Sequence, residues 1–273
     1  MALPTTTIGG LAISRLVLGS NPFFGFSHQT AARDSWLKRH FTDERIYEVM
    51  QAAAGLGINL FVSGPQPRFA QLRRRLREET GFHLHWACTP GGEDLAELKQ
   101  DIDQMAGWGV EICLPHTCWV EARLRVGERE VAELREALDY IRQCGMLPGV
   151  STHRPEVLPI ANERGYDVET FIIPLNALGF LCPFEVEWQA HIIAHCPQPV
   201  ICIKPLAAGR LTPLPGLSFV YQRLKPIDTV AIGVLSPEEL REDAALAESL
   251  LTKGAESREL AASRSKHHLR RRS

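Results

Sequence analysis

The stretch IGGLAISRLVLGSNPF, residues 8–23, decides the fold. Gly9-Gly10 places two residues without a Cβ in succession, which suits a tight turn, and we predict a β-hairpin over residues 5–16. The run Leu16-Val17-Leu18 then reads as the first strand of the main sheet. A polar residue, Asn21, stands shortly after this strand, and the same succession of apolar run and polar residue recurs along the chain.

Short apolar runs alternate with segments in which apolar residues have helical spacing. The runs are nearly continuous in apolar character, which is typical of parallel strands covered on both faces. In the intervening segments, Thr42 is predicted to cap the first long helix, Gly145 to mark the end of the fourth, and Pro237 to begin the last. The eight predicted strands are Leu16–Leu18, Asn59–Val62, Leu84–Cys88, Glu111–Leu114, Leu147–Val150, Phe171–Ile173, Val200–Ile203 and Thr229–Ile232.

Eight strand–helix units predict an α/β fold, a closed (β/α)8 TIM barrel with an N-terminal β-hairpin, as a single domain over residues 1–251. The alternative is an open doubly wound sheet, but no Gly-x-Gly-x-x-Gly sequence follows the first strand to support it. Residues 252–273 become polar and then basic, with almost nothing to bury, and we expect them to form a disordered tail.

Composition limits the classes of function. The chain has 273 residues, and a hydrophobic fraction of 45% allows one large core. A formal net charge of −2 gives no reason to expect nucleic acid or an acidic membrane surface as a partner. We expect neither a membrane span nor a secretory signal, because the apolar runs are short and no basic region precedes one at the N-terminus. Seven cysteines without a Cys-x-x-Cys pair suit a reducing compartment and predict a cytoplasmic protein.

In a barrel of this kind, the groups that face a ligand lie directly after each strand, at the C-terminal mouth. Among the residues in such positions, Lys204 stands out because an unpaired buried ammonium is very costly. An ion pair within the mouth, ligand binding and a Schiff base with a carbonyl compound all stay open for it. The positions selected by this rule are Asn21, Ser63, Thr89, His116, Ser151, His153, Asn176, Lys204 and Gly233.

Four histidines lie near predicted strand ends. His116 and His153 follow the fourth and fifth strands, so their imidazoles are expected to converge at the mouth. With Cys118 or Glu185 they offer ligands for a metal ion, although no tight ligand spacing is present and structural packing is the alternative. His83 and His85 alternate at the start of the third strand, away from the mouth, and we expect packing or solvent exposure for them.

Several segments resemble the aldo/keto reductases, in the same order along the chain and over residues 5–250. The resemblance implies the same barrel fold. It also implies carbonyl reduction by a nicotinamide cofactor, with a tyrosine giving the proton, a lysine and an aspartate tuning it, and a histidine orienting the carbonyl. The resembling segments are Ile8–Phe23, Gly57–Ser63, Glu111–Trp119, Gly149–Glu156, Phe171–Leu178, Ile203–Leu211 and Ala231–Leu240.

Matched to that family residue by residue, the chain keeps only the histidine, as His116. Val62 stands at the aspartate position, Pro67 at the tyrosine position and Thr89 at the lysine position. Valine and proline cannot donate or relay a proton, and threonine is a poor substitute for a cation. We therefore predict that conventional NADPH-dependent carbonyl reduction is not available.

The resemblance divides the expected cofactor site into two ends. At the nicotinamide end, Ser151-Thr152 partly matches the pair that holds the carboxamide, whereas Ile172 and Ile203 replace a glutamine and an aromatic residue. At the phosphate end, Lys204 and Arg210 lie in the segment that resembles the pyrophosphate loop. The phosphate end therefore keeps more of the family's pattern.

The segment Gly233–Ser236 precedes the last helix, whose free N–H groups can bind an anion. Glu239 stands where some members carry a cation for the extra phosphate of NADP, which disfavours that cofactor.

We predict that the chain binds a small phosphorylated or dinucleotide ligand at the barrel mouth, with NAD or NADP as possible cofactors and an oxidoreductase-like chemistry if it is an enzyme. One alternative is a non-catalytic binding or regulatory barrel. Another is a metal-assisted lyase or hydrolase that uses His116 and His153. The candidate catalytic residue is His116, and the candidate ligand-binding residues are Asn21, Ser151, Thr152, His153, Asn176, Lys204, Arg210, Gly233 and Ser236.

Overall fold

The computed structural model describes residues 3–252 and begins with the predicted hairpin. Strands β1 (Thr5–Ile8) and β2 (Leu11–Ser14) pair antiparallel. Gly9 and Gly10 form the turn with φ values of +53° and +86°, a left-handed conformation that is easy only for glycine. A Cβ on Gly9 would come within 2.5 Å of the Leu147 side chain, so the hairpin lies tightly against the barrel where strands begin.

Eight parallel strands close into a barrel, which confirms the predicted (β/α)8 fold and excludes the open sheet. The last strand pairs with the first, with Val230 opposite Leu16. In spatial order the barrel runs β10-β11-β12-β3-β4-β5-β6-β9, after which β9 meets β10. The strands are β3 (Leu16–Gly19), β4 (Leu60–Ser63), β5 (His85–Cys88), β6 (Ile112–Cys113), β9 (Leu147–Ser151), β10 (Thr170–Pro174), β11 (Val200–Ile203) and β12 (Thr229–Ile232).

Helices connect the strands, and their ends follow the predicted signals. Thr42 accepts a hydrogen bond from the backbone N–H of Arg45 at 3.4 Å and caps its helix, and Pro237 is the first residue of the last helix. Gly145 adopts a φ of +81° two residues after the end of the helix before β9. The helices are α1 (Asn21–Phe24), α2 (Ala31–His40), α3 (Asp43–Gly55), α4 (Pro67–Thr80), α5 (Leu95–Gly107), α6 (Thr117–Ala122), α7 (Leu134–Gln143), α8 (Val157–Glu163), α9 (Val186–His195), α10 (Pro213–Tyr221) and α11 (Pro237–Thr252).

One small sheet was not predicted. Strands β7 (Leu124–Arg125) and β8 (Glu130–Val131) form a two-stranded antiparallel sheet between α6 and α7. The predicted tail over residues 252–273 lies, apart from Thr252, outside the described residues.

Two apolar layers hold the barrel together. One lies between the strands and the surrounding helices, and the other fills the barrel interior, as expected for a fold whose centre is packed with side chains. The interior layer includes Val62, which is 8% exposed. Cys88, Cys113 and Cys202 are fully buried free thiols in the barrel strands. In the described chain, no helix combines the length and apolar character needed to cross a membrane.

Candidate functional site at the barrel mouth

Lys204 is the central cation of the mouth. It follows β11 directly, has a φ of +60°, and is half-buried. No carboxylate oxygen among residues 3–252 lies within 4.0 Å of its ammonium, so the ion pair considered from the sequence does not form there. Burial lowers the pKa of Lys204 to about 8, because the charged form loses hydration without gaining an acidic partner.

His116 lies between β6 and α6 and caps that helix. Its Nδ1 accepts a hydrogen bond from the backbone N–H of Cys118 at 3.2 Å, which leaves the proton of the neutral imidazole on Nε2. Burial and then the charge of Lys204 hold the pKa of His116 below its ordinary value, against the opposing effect of Glu121. The ring is therefore a neutral donor at pH 7.

His153 follows β9 by two residues and faces the same charges. Burial, followed by the charge of Lys204, lowers its pKa to about 4. The nearby rings of His116 and His28 lower that pKa further. Two neutral imidazoles and one ammonium therefore share the mouth at pH 7.

Glu121, which the sequence analysis missed, is the acid of this region. It lies on α6, and its Oε1 accepts hydrogen bonds from the Thr152 hydroxyl at 3.1 Å and from the backbone N–H groups of His153 at 2.5 Å and Arg154 at 3.2 Å. Three donors thus stabilise the carboxylate. Its role is to anchor the turn that carries His153.

His28 is a second residue that the sequence analysis missed. It has a φ of +54°, and its Nε2 lies 3.3 Å from Nδ2 of Asn21, a predicted site residue in α1. Its ring meets Phe180 edge to face, with centroids 5.8 Å apart. Burial and then Lys204 lower the pKa of His28. The segment around His28 thus brings a third imidazole to the mouth.

Arg210 ties neighbouring loops together. Its Nη1 donates to the carbonyl oxygen of Ala207 at 2.9 Å, and its Nη2 donates to that of His28 at 3.1 Å. The guanidinium also lies over the ring of Phe180, 4.3 Å from its centroid. Part of its donor capacity is therefore committed to the loops, and the remainder faces solvent.

Three other predicted site residues differ in how free their side chains are. Asn176 is fully buried, and its Oδ1 accepts from the backbone N–H groups of Leu178 and Phe180, so it shapes the loop after β10. The Thr152 hydroxyl is bound to Glu121 and Arg154, as a donor and an acceptor respectively. Ser151 is 5% exposed, and its hydroxyl makes no side-chain hydrogen bond within residues 3–252.

The N-terminus of α11 is already occupied by the chain's own groups. The Ser236 hydroxyl accepts from the backbone N–H of Glu239 at 3.3 Å, and the Glu239 carboxylate accepts from the N–H of Leu235 at 2.8 Å. Glu238 adds a second carboxylate in the first turn. Gly233 has a packing reason to be glycine, since a Cβ there would approach Pro22 Cδ to 2.9 Å. Negative charge at this helix end opposes an additional anion.

The positions matched to the reductases' proton-transfer residues by resemblance of sequence carry side chains without a titratable proton. Val62 packs inside the barrel, and Pro67 is the first residue of α4. The Thr89 hydroxyl lies 3.4 Å from the carbonyl oxygen of Ser63. Among the described residues, the mouth thus offers an ammonium and neutral imidazoles, and none of these three positions supplies a titratable acid.

Within the described part of the chain, no third His, Cys, Asp or Glu joins His116 and His153 as a set of metal ligands. Within residues 3–252, the one group of three His, Cys, Asp or Glu ligand atoms that all lie within 4.8 Å of one another consists of His83, His85 and Glu111. That group lies at the beginnings of β5 and β6, away from the mouth.

The comparisons with known proteins agree with the barrel architecture. No protein-family model and no curated protein matches the chain. A Pseudomonas aeruginosa protein named as an aldo-keto reductase superposes with a TM-score of 0.67 at 19% identity, over 90% of this chain and 95% of that one. An aldo-keto reductase from Bacillus halodurans, solved in its holo form, gives 0.62 at 14% identity, over 90% and 91%. An aldo/keto reductase from Klebsiella pneumoniae in complex with NADP and acetate gives 0.54 at 17% identity, over 90% of each chain.

At these low identities, the superpositions show the architecture of the chain and not its chemistry. The closed barrel is the architecture that the resemblance of sequence implied, and the hairpin precedes it as predicted. The chain has the fold of the aldo/keto reductases.

Proposed function

We propose that the chain binds a compact phosphorylated small molecule at the C-terminal mouth, with the Lys204 ammonium as the principal charge. One observation carries this proposal: Lys204 is half-buried and has no acidic partner within 4.0 Å among residues 3–252. A desolvated ammonium is costly until an opposite charge reaches it, and a phosphate supplies that charge together with three acceptor oxygens.

The surroundings of Lys204 favour an anion over a cation. The imidazoles of His116 and His153 are neutral at pH 7, so each offers an N–H donor without adding a charge. The Ser151 hydroxyl is a further donor at the strand ends. Glu121, the nearby acid, is held by three donors of the turn that carries His153. A small anion therefore meets more donors than acceptors at this end of the barrel.

A complete nicotinamide dinucleotide fits these residues only in part. The pyrophosphate of such a ligand suits Lys204 and the loop that Arg210 braces. The N-terminus of α11 is less suitable for the rest of such a ligand, because Ser236 and Glu239 already cap this helix. The carboxylates of Glu238 and Glu239 also repel a phosphate there. A compact ligand thus explains the site better than NAD or NADP, and NADP is the poorer of the two.

We do not expect conventional carbonyl reduction, since Val62, Pro67 and Thr89 supply no replacement for the family's proton donor. If the protein is an enzyme, His116 is the group best placed to move a proton, because its neutral ring lies at the mouth. If the protein is instead a non-catalytic binding or regulatory barrel, it binds the same anion at this site and catalyses no reaction. The metal-assisted alternative has less support, since no third ligand joins His116 and His153 in the described chain.

A second candidate function is covalent capture of a carbonyl compound by Lys204. A lysine whose pKa is lowered to about 8 is a tenth or so unprotonated at pH 7, which is the form that attacks a carbonyl. The amine adds to the carbonyl carbon, and loss of water then gives an imine. Borohydride treatment in the presence of a phosphorylated aldehyde discriminates the two functions: covalent capture leaves a reduced adduct on Lys204, and simple anion binding leaves none.

Titration calorimetry tests the principal proposal. The panel consists of inorganic phosphate, phosphosugars, ADP, NAD and NADP, against the unmodified protein and the variants Lys204→Ala and Lys99→Ala. Lys99 pairs with Glu136 at 2.7 Å on the outer helices and is a matched control for lost charge. We expect Lys204→Ala to weaken binding by roughly 10–150-fold, the range of a charged hydrogen bond, and Lys99→Ala to leave it unchanged. The proposal is wrong if nothing on the panel binds at millimolar concentration, or if Lys204→Ala binds as well as the unmodified protein.

A further inference from the structure

A cluster of two histidines and a glutamate lies at the opposite end of the barrel from the mouth. His85 is the first residue of β5, and His83 precedes it by two positions, so both side chains leave the strand on the same side. Their rings meet edge to face with centroids 4.6 Å apart. Glu111 directly precedes β6, the strand that pairs with β5. The cluster thus joins the beginnings of two neighbouring strands.

The ligand atoms of the cluster converge on a single carboxylate oxygen. Nε2 of His83 lies 2.7 Å from Oε1 of Glu111, and Nδ1 of His85 lies 3.7 Å from the same oxygen. Nδ1 of His85 is buried and has no hydrogen-bond partner. Nδ1 of His85 is therefore shielded from water and too far from Oε1 of Glu111 for a hydrogen bond. A buried polar atom without a partner is unusual, and this nitrogen is available to a metal ion.

Rigid groups hold the Glu111 carboxylate in place. Its Oε2 accepts from the backbone N–H of Trp86 at 2.7 Å and from Nη2 of Arg73 at 3.0 Å. Arg73 is itself fixed, since its Nε donates to the carbonyl oxygen of Leu84 at 2.7 Å. These donors orient the carboxylate, as the outer hydrogen-bond partners of a metal ligand do.

We propose that His83, His85 and Glu111 form a binding site for a divalent transition metal, with Zn²⁺ as the best match and water as the remaining ligand. Two imidazole nitrogens and one carboxylate oxygen are a common ligand set for zinc. Zinc–nitrogen and zinc–oxygen bonds of about 2.0–2.2 Å in a tetrahedron place the ligand atoms about 3.4 Å apart. The observed separations of 2.7 and 3.7 Å lie on either side of that value, and the three ligand atoms all lie within 4.8 Å of one another, so small side-chain shifts bring them onto one ion.

The metal would replace the hydrogen bond between Nε2 of His83 and Oε1 of Glu111. Arg73 opposes this exchange through its positive charge, and its Nη2 lies 3.0 Å from both carboxylate oxygens of Glu111. The ion would therefore displace the bond of Arg73 to Oε1, while its bond to Oε2 remains. The side chains of His83, His85 and Glu111 are 40%, 18% and 20% exposed, so an ion reaches them from solvent. Because the site lies at the N-terminal end of the barrel, we assign it a stabilising role that fastens β5 to β6.

Histidines outside the cluster can also bind metal, so the experiment needs a control variant that lacks them. His191 and His195 lie one turn apart on α9, with ring centroids 4.1 Å apart, and such a pair can also hold a metal. His267 and His268 lie outside the described residues. The control variant therefore replaces all four of these histidines with glutamine and keeps the proposed site intact.

The experiment uses the full chain after removal of metal by a chelator. Zn²⁺ is titrated in competition with a chromophoric chelator, and Co²⁺ is titrated with the d–d absorption of tetrahedral cobalt as the readout. We expect one equivalent of either metal to bind both the unmodified protein and the control variant, and to raise the Tm of both. The His83→Gln/His85→Gln variant should bind at least about tenfold more weakly and lose the tetrahedral cobalt spectrum.

Glu111→Gln serves as a second variant that keeps the shape of the side chain. Circular dichroism establishes that each variant is folded, and His85→Gln alone replaces the double variant if that one unfolds. The proposal is refuted if the unmodified protein gives no tetrahedral cobalt spectrum. It is equally refuted if binding disappears in the control variant but persists in His83→Gln/His85→Gln.

Discussion

Replacing Lys204 with methionine should stabilise the protein while removing its anion site. Methionine keeps the length of the side chain and cannot carry the charge. Burial lowers the pKa of Lys204 from 10.5 to about 8, and each pKa unit corresponds to about 1.36 kcal/mol. The folded state therefore loses up to about 3 kcal/mol at pH 7 by holding this ammonium, and partial exposure reduces the expected gain in Lys204→Met to about 1–3 kcal/mol.

The dependence on pH distinguishes this cause from a simple gain in apolar packing. The pKa of Lys204 is lower in the folded chain than in the unfolded chain, so the penalty is absent above pH 10.5. It grows as the pH falls toward about 8 and is fully present at pH 7. The difference in stability between Lys204→Met and the unmodified protein should therefore shrink as the pH rises from 7 to 10.

Urea denaturation at pH 7 and at pH 10, followed by circular dichroism, measures both effects. Lys99→Met is the control, because Lys99 forms an exposed ion pair with Glu136 and its loss should cost about 0–1 kcal/mol. A Lys204→Met variant that is less stable than the unmodified protein at pH 7, or whose advantage is the same at both pH values, refutes the reasoning.

Three further predictions concern stability and activity. Burial, followed by the charges of Glu239 and Glu242, raises the pKa of Asp243 to about 7. The stability of the fold should therefore fall as the pH rises from about 4 to about 7. Asp243→Asn should raise the Tm, measured by calorimetry, by several degrees at pH 8 and little at pH 4. Gly233→Ala should cost about 1–3 kcal/mol in urea denaturation because the new Cβ meets Pro22, whereas Gly127→Ala, where nothing lies within 4 Å, should cost far less. The protein should not consume NADPH in the presence of common aldehydes; steady consumption that disappears in His116→Ala contradicts this prediction.

The barrel could be predicted because its strands carry a strong local signal. Val200–Ile203 and Thr229–Ile232 were predicted with the bounds that the structure shows, and the other six strands differ by one residue at one or both ends. Burial on both faces demands continuous apolar runs, and turns at Gly9-Gly10 and Gly145 need residues that tolerate a positive φ. The β7–β8 sheet was missed because strands of two residues leave no period to detect.

The site was harder to predict because side-chain partners come from distant parts of the chain. We expected the N–H groups at the start of α11 to be free, although Ser236 followed three residues later by Glu239 is the pattern of a capping box. Asn176 has the two-residue spacing of a local side-chain turn, which explains its bonds to Leu178 and Phe180. Glu121 and His28 gave no comparable signal, since their roles depend on contacts across 182 residues or between separate loops.

The measurement that tests the central claim most directly is the pKa of the Lys204 amine, with and without inorganic phosphate. Two-dimensional NMR of protein labelled in its lysines follows each side chain as a function of pH, and the Lys204→Arg variant assigns the signal. We expect a pKa near 8 in the free protein, because burial penalises the charge, and a rise toward or above 10.5 under saturating phosphate, because an anion favours the ammonium. A Lys204 signal that titrates at the ordinary value in the free protein, or that phosphate leaves unmoved, contradicts the proposed anion site.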